Sequence, residues 1–274
     1  MNNLKKYSYS WFSKECINCL NKTNCVSGGA FHQCLRHYFL HLKGYSYEAN
    51  AAMIKGKLMH ENAQKDIKTI DEYGLVNFIK DLSEGKSIQL KELAICSPIY
   101  GLKGVVDIVR FQWYPARREM KVFVTELKSS FNKKYIWQLA VYGLILSDLR
   151  CMIGYTKDEK RLMQKFYPKD MKLTIHLSMK ILNAGHYNQL FMVSNLLTDW
   201  GKSISAALNN KKQVYKNFQK AGVYFLHEIP RPNNCRKDCP YKPICDKYEF
   251  DSHKSKQKYF GHVKLLINTK PKII

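Results

Sequence analysis

Two apolar runs, "GLKGVVDIVRFQWY" at 101–114 and "KVFVTELKSS" at 121–130, are separated by the short polar stretch "PARRE". Runs rich in β-branched and aromatic residues on either side of a proline-led turn predict an antiparallel hairpin. Successive side chains of a strand alternate between faces, so Val124, Glu126 and Lys128 project together while Phe123, Thr125 and Leu127 point the other way. One face of the second strand therefore ends in a carboxylate and an ammonium. The first strand carries Asp107 among apolar neighbours, where an unpaired carboxylate is costly unless a metal or hydrogen bonds satisfy it. The hairpin brings all three polar groups to one sheet edge.

The flanking segments add to this set. Upstream, "KGKLMHENAQ" reads as part of a helix over 49–83, interrupted near Gly74, with His60 one turn after Gly56. The missing side chain of Gly56 is expected to let that helix pack closely on the sheet. Downstream, residues 133–148 read as a helix in which Gln138 and Tyr142, four apart, share a face over the preceding strand. Asp107, Glu126 and a neutral His60 imidazole make a donor set suited to Mg²⁺ or Mn²⁺. Such an ion acidifies a bound water and offsets charge on a phosphoryl oxygen, and an adjacent lysine can orient the water. The pattern suits phosphodiester hydrolysis; a rim ion pair between Glu126 and Lys128 is the plainer alternative.

Charge agrees with a phosphate-bearing partner. The 274-residue chain has 45 Lys plus Arg against 22 Asp plus Glu, a net +23, and its 18 Tyr and 13 Phe offer stacking surfaces as well. Nucleic acid is the expected partner, ahead of an anionic membrane surface. A hydrophobic share of 45% argues against disorder. No secretory signal pattern is visible, and the longest apolar run, "YIWQLAVYGLILSDLRCMIGY", is broken by Gln138, Asp148 and Arg150. The expectation is a soluble, cytoplasmic protein without a membrane partner.

Nine cysteines in a reducing compartment favour metal ligation over disulfides. Cys16, Cys19, Cys25 and Cys34 group near the front, Cys235, Cys239 and Cys245 near the back, and the isolated Cys96 and Cys151 are expected in the core.

The remaining chain is expected to run as follows. The first thirty residues are irregular and lead into a helix in "FHQCLRHYFLHLKGY". Strands cover 88–96, "RCMIGYT" and "KLTIHLS", a helix spans about 188–210, "GVYFLHEIP" is extended, and the lysine-rich tail after Phe250 is frayed. The order predicts one α/β domain with a mixed central sheet flanked by helices.

"GKLMHENAQ", "GVVDIVRF", "VTELKSS" and "WQLAVYGLIL" resemble, in this order, the GxxxH, GxxD, ExK and QxxxY motifs of RecB-like PD-(D/E)xK nucleases. Together with "CLRHYFLHLKGY" and "CRKDCPYKPIC", the chain resembles the iron-sulfur branch of that superfamily, the CRISPR-associated RecB-like nuclease (the fourth Cas protein) and its AddB relatives, over about residues 30–250. The resemblance implies a restriction-endonuclease-like core over 51–222. It also implies an iron-sulfur subdomain made from 1–50 and 223–250, with a basic tail over 251–274. It implies His60, Asp107 and Glu126 as ligands of Mg²⁺ or Mn²⁺, Lys128 as catalytic lysine, and Gln138 and Tyr142 shaping the site.

A 4Fe-4S cluster would be held by Cys34, Cys235, Cys239 and Cys245, thiolates being the usual ligands. The rear cysteines are spaced Cys-x3-Cys-x5-Cys, one residue longer in the first gap than is common in the family. Cys16, Cys19 and Cys25 depart further from it; they could form a second metal site with His32 or His37, compete for the cluster, or be free thiols.

The activity implied is single-stranded DNA exonuclease, 5′ to 3′, with endonuclease action open, processing DNA ends for spacer acquisition or viral DNA metabolism. CRISPR integrase proteins are the implied protein partners. The alternatives are a non-catalytic nucleic-acid-binding scaffold on the same fold and a zinc-ribbon regulator.

Overall fold

The computed structural model describes residues 26–30, 34–42, 51–97, 101–132, 135–147, 172–182, 188–192, 229, 239 and 241–247. Contacts divide the chain into two compact units, Met1–Gly29 with Asn50–Asp199, and Ala30–Ala49 with Trp200–Ile274.

The first unit is built on a mixed sheet of six strands among the described residues. β1 is Val26–Ser27, β2 Ile88–Ser97, β3 Leu102–Tyr114, β4 Glu119–Lys128, β5 Lys172–Ile181 and β6 Asn188–Met192. β2, β3 and β4 are antiparallel neighbours, β4 and β5 run parallel, and β6 returns antiparallel to β5. The predicted hairpin is β3–β4, turning through Pro115–Arg117, with Arg118 at φ 46 closing the turn. No helix among the described residues is long and apolar enough to cross a membrane.

The hairpin departs from a regular ladder at one level. β3 pairs with β4 from Tyr114–Glu119 as far as Ile108–Thr125 and no further. At its other end, Leu102 and Lys103 pair in parallel with β1. Burial along β3 alternates from Leu102, then slips phase at Ile108 and Val109, both buried. Across the ladder, Glu92 of β2 falls opposite Asp107, where no paired register is formed, and takes φ 48. A left-handed non-glycine residue in a strand is a costly kink of the type that collects near functional sites. The kink in β2 lies directly across from Asp107.

Helices pack on one face of the sheet. α5, Tyr135–Ser147, follows β4 and connects to the parallel β5, as a crossover helix does. Its Gly143 admits the Leu177 side chain of β5, and Val122, Val124 and Leu177 are buried. α4, Leu75–Ser83, buries Phe78 edge-on against Phe111 of β3.

The single interrupted helix expected over 49–83 is instead α2, Ala51–Ala63, α3, Ile70–Tyr73, and α4. Gly74 does end α3, at φ 80, but a second break covers 64–69. Its cause is a capping box, in which Thr69 accepts from Glu72 N and Glu72 accepts from Thr69 N at 2.6 Å. The helix expected from 188 is also corrected at its start, because 188–192 are β6, which pairs antiparallel with the edge of β5. Gly56 is corrected too, since a Cβ built there meets nothing within 4 Å. The segments at 150–156 and 222–228, the rest of 188–210, Cys151 and the tail lie outside the described residues. Cys96 is buried, as expected.

The second unit contains α1, Leu35–Leu42, directly after Cys34, and α6, Lys242–Asp246. Arg36 is 1% exposed. Its Nε donates to the Ile229 carbonyl at 2.7 Å and its Nη1 to that of Cys245 at 3.2 Å. His37 packs edge-on against Tyr241.

Candidate active site

Where β3 and β4 part, the Asp107 side chain replaces the missing ladder bond: its Oδ2 accepts from Leu127 N at 2.7 Å. Its Oδ1 lies 3.7 Å from His60 Nδ1. The main-chain carbonyl of Asp107 accepts from Gln64 Nε2 at 2.9 Å. Gln64 is buried, and Lys91 holds the same turn through Lys91 N to Lys68 O at 3.0 Å and Lys91 Nζ to Gln64 O at 3.3 Å. The end of α2 is thereby fastened to β2 and β3, and His60 sits one helical turn before the fastening.

On β4, Glu126 is 1% exposed. Its Oε1 accepts from Lys128 Nζ at 2.6 Å and from Gln138 Nε2 at 2.7 Å. Its Oε2 is buried with no hydrogen-bond partner. Burial, then the nearby negative charge of Asp107, push the Glu126 carboxyl up to about 8 against the pull of Lys128. A carboxylate with one saturated and one orphaned oxygen, beside a second carboxylate, is an anionic pair short of a cation.

Gln138 also bonds the Tyr142 hydroxyl at 2.7 Å, which donates to the Val105 carbonyl at 2.7 Å. The Tyr142 ring lies where side chains at Gly28 and Gly104 would be; a Cβ at Gly28 would come within 2.9 Å of its Cε1, and one at Gly104 closer still. Lys128 Nζ sits over the Tyr135 ring, 4.8 Å from its centroid.

His60, Asp107, Glu126, Lys128, Gln138 and Tyr142 thus stand in one chain of contacts. They do not form a ready-made cage, since no three His, Cys, Asp or Glu side chains among the described residues are grouped to hold a metal. His60 joins Asp107, and Asp107 acts on Glu126, in pairs. Asp107 and the free oxygen of Glu126 fit a hard divalent cation, with His60 within reach of the same carboxylate. Sequence reasoning missed Gln64, Gly28 and the steric reason for Gly104. Only Gly104 had a local signal, three residues before Asp107.

In the second unit, burial raises the Cys245 thiol, the neighbouring Cys34 and Cys239 act in the same direction, and the Arg36 guanidinium opposes them. Three of the four expected cluster ligands are therefore electrostatic neighbours, and His37 N donates to Cys34 Sγ at 3.3 Å. Cys235, Cys16, Cys19, Cys25 and His32 lie outside the described residues.

No family model matches the chain, and no curated protein matches it. Among solved structures, it is similar to the crystal structure of a "Putative exonuclease" from Eubacterium rectale, at 12% identity and TM-score 0.40, with 88% of this chain and 93% of that one covered. At that identity and superposition the likeness says nothing about activity.

Proposed function

We propose that the chain is a metal-dependent deoxyribonuclease of the RecB-like PD-(D/E)xK type. The observation that carries the reading is the Glu126 side chain, buried with Oε2 unpartnered against a second carboxylate, while Lys128 and Gln138 occupy Oε1. Burying two acids side by side is unfavourable unless a cation joins them. Asp107 and Glu126 would hold Mg²⁺ or Mn²⁺, with His60 as a further ligand. When bound, the ion would acidify a water and neutralise charge on the scissile phosphate.

The chain's own groups would do the rest. Lys128, anchored on Glu126, places a positive charge beside the reacting phosphate. Gln138 fixes the orientation of Glu126, and Tyr142 fixes Gln138 through its bond to Val105. The finer reading, from the motif resemblance, is a 5′ to 3′ single-stranded exonuclease that trims DNA ends for CRISPR spacer acquisition or viral DNA metabolism. Its cofactor, from the same resemblance, would be a 4Fe-4S cluster on Cys34, Cys235, Cys239 and Cys245.

The test is cleavage of end-labelled single-stranded DNA with Mn²⁺. Glu126→Gln and Lys128→Ala should abolish cleavage while DNA binding is largely retained. Full activity in either purified variant would rule the assignment out. Iron and sulfide content with a brown colour in anaerobically purified protein tests the cluster. Colourless protein containing zinc would contradict it.

A further inference from the structure

On the sheet face turned away from Gln138 and Tyr142, three residues stand in register across three strands. Arg110 of β3 pairs with Phe123 of β4, which pairs with His176 of β5. They form a stack, with the Arg110 guanidinium 4.2 Å from the Phe123 ring centroid on one side. On the other, the His176 ring is centred 4.6 Å away and within 9° of parallel. Both faces of Phe123 are taken, so the ring is a support and not a platform for bases.

The support has a specific effect. A guanidinium held over an aromatic ring loses less further freedom when its N–H groups meet a bidentate acceptor, and phosphate is such an acceptor. In the next row, Lys121 lies between Gln112 and Thr174 with its Nζ 5.0 Å from the Tyr114 ring centroid. Neither Arg110 nor Lys121 is paired with a carboxylate among the described residues. The acid on this face, Glu119, is buried and engaged by Thr174 at 3.1 Å and Lys172 at 3.7 Å. Burial, then Lys121, lower the His176 pKa; Glu119 opposes them, and Arg110 adds to the lowering.

We propose that the Arg110–Phe123–His176 row with Lys121 is a binding surface for the phosphodiester backbone of single-stranded DNA, separate from the site at Glu126. Cross-strand stacking for sheet stability explains the Phe123–His176 contact. It does not explain two cations set in adjacent rows that no carboxylate pairs among the described residues, in a chain of net charge +23. A polyanion supplies the missing charge.

The inference does not rest on the hydrolytic reading, because it is tested without metal. Binding of fluorescein-labelled single-stranded DNA in EDTA is followed by anisotropy across a salt series. Each phosphate contact on a single strand contributes about 0.7 to the slope of log K against log salt, so Arg110→Gln/Lys121→Gln should reduce the slope by about 1.4 and weaken binding about tenfold. Arg110→Lys in an otherwise native chain should keep the slope. Phe123→Leu, which leaves both charges, should lower affinity severalfold with the slope unchanged.

An unchanged slope in a folded double variant overturns the proposal. Displacement by polyglutamate as readily as by unlabelled DNA reassigns the surface to an acidic protein and overturns it equally. Native binding without cleavage would instead sink the nuclease reading alone.

Discussion

Glu126 gives the metal-free protein a defined pH response. Its carboxyl is raised to about 8 by burial and by Asp107, so the native state holds a proton that the unfolded chain releases nearer pH 4.5. A group with a raised folded pKa contributes its full stability below the unfolded value, and that contribution is lost as pH climbs through the window to about 8. Thermal unfolding in EDTA should therefore show a decline over this range that Glu126→Gln abolishes, and Mn²⁺ should restore most stability at the alkaline end. A flat profile common to both proteins would refute the assignment. Close packing governs a second residue: Gly104→Ala would drive a methyl into the Tyr142 ring, and denaturant unfolding should record a loss of about 1–3 kcal/mol. The acids and Lys128 were legible in the sequence because period-two alternation assigns each a face. The Tyr142 cradle was not, since nothing near Gly28 or Gly104 names a ring so far along the chain.

At the scale of elements, the kink in β2 opposite Asp107 and the docking of α2 are one device. Gln64 takes the carbonyl that the kinked ladder leaves at Asp107, so Gln64→Ala should loosen the end of α2 and let His60 drift from Asp107. The expected result is weaker Mn²⁺ binding and at least about tenfold lower kcat, with little change in affinity for metal-free DNA. Gly56 behaves oppositely. With open space over it, Gly56→Ala should raise stability by about 1 kcal/mol through helix propensity alone. The hairpin and α5 could be read from periodicity and turn chemistry. The break at 64–69 was written in the Thr69–Glu72 spacing and was overlooked, whereas strand β6 depends on the edge of β5 and has no local signature.

At the scale of the whole molecule, the second unit is closed by residues far apart in sequence. Arg36 reaches carbonyls 193 and 209 positions away, a link that no window on the sequence could reveal, although the cysteines around it hinted that the two segments meet. Replacing it by Ala removes two charge-assisted bonds in a buried setting, and unfolding of the second unit, followed by limited proteolysis, should occur about 3 kcal/mol more easily. The first unit's sheet, whose strands lie close together in the chain, should keep its protease resistance in the same variant.

That stitch also dictates an order of events on the ribosome. At about 5–20 residues per second, roughly 10–40 s pass between synthesis of Arg36 and of Cys245, its partner 209 positions later. During that interval the β3–β4 hairpin can already form, while α1 waits with its guanidinium hydrated. Any nascent-chain chaperone that engages this protein therefore has its longest opportunity at α1, made early and completed only when Cys245 emerges.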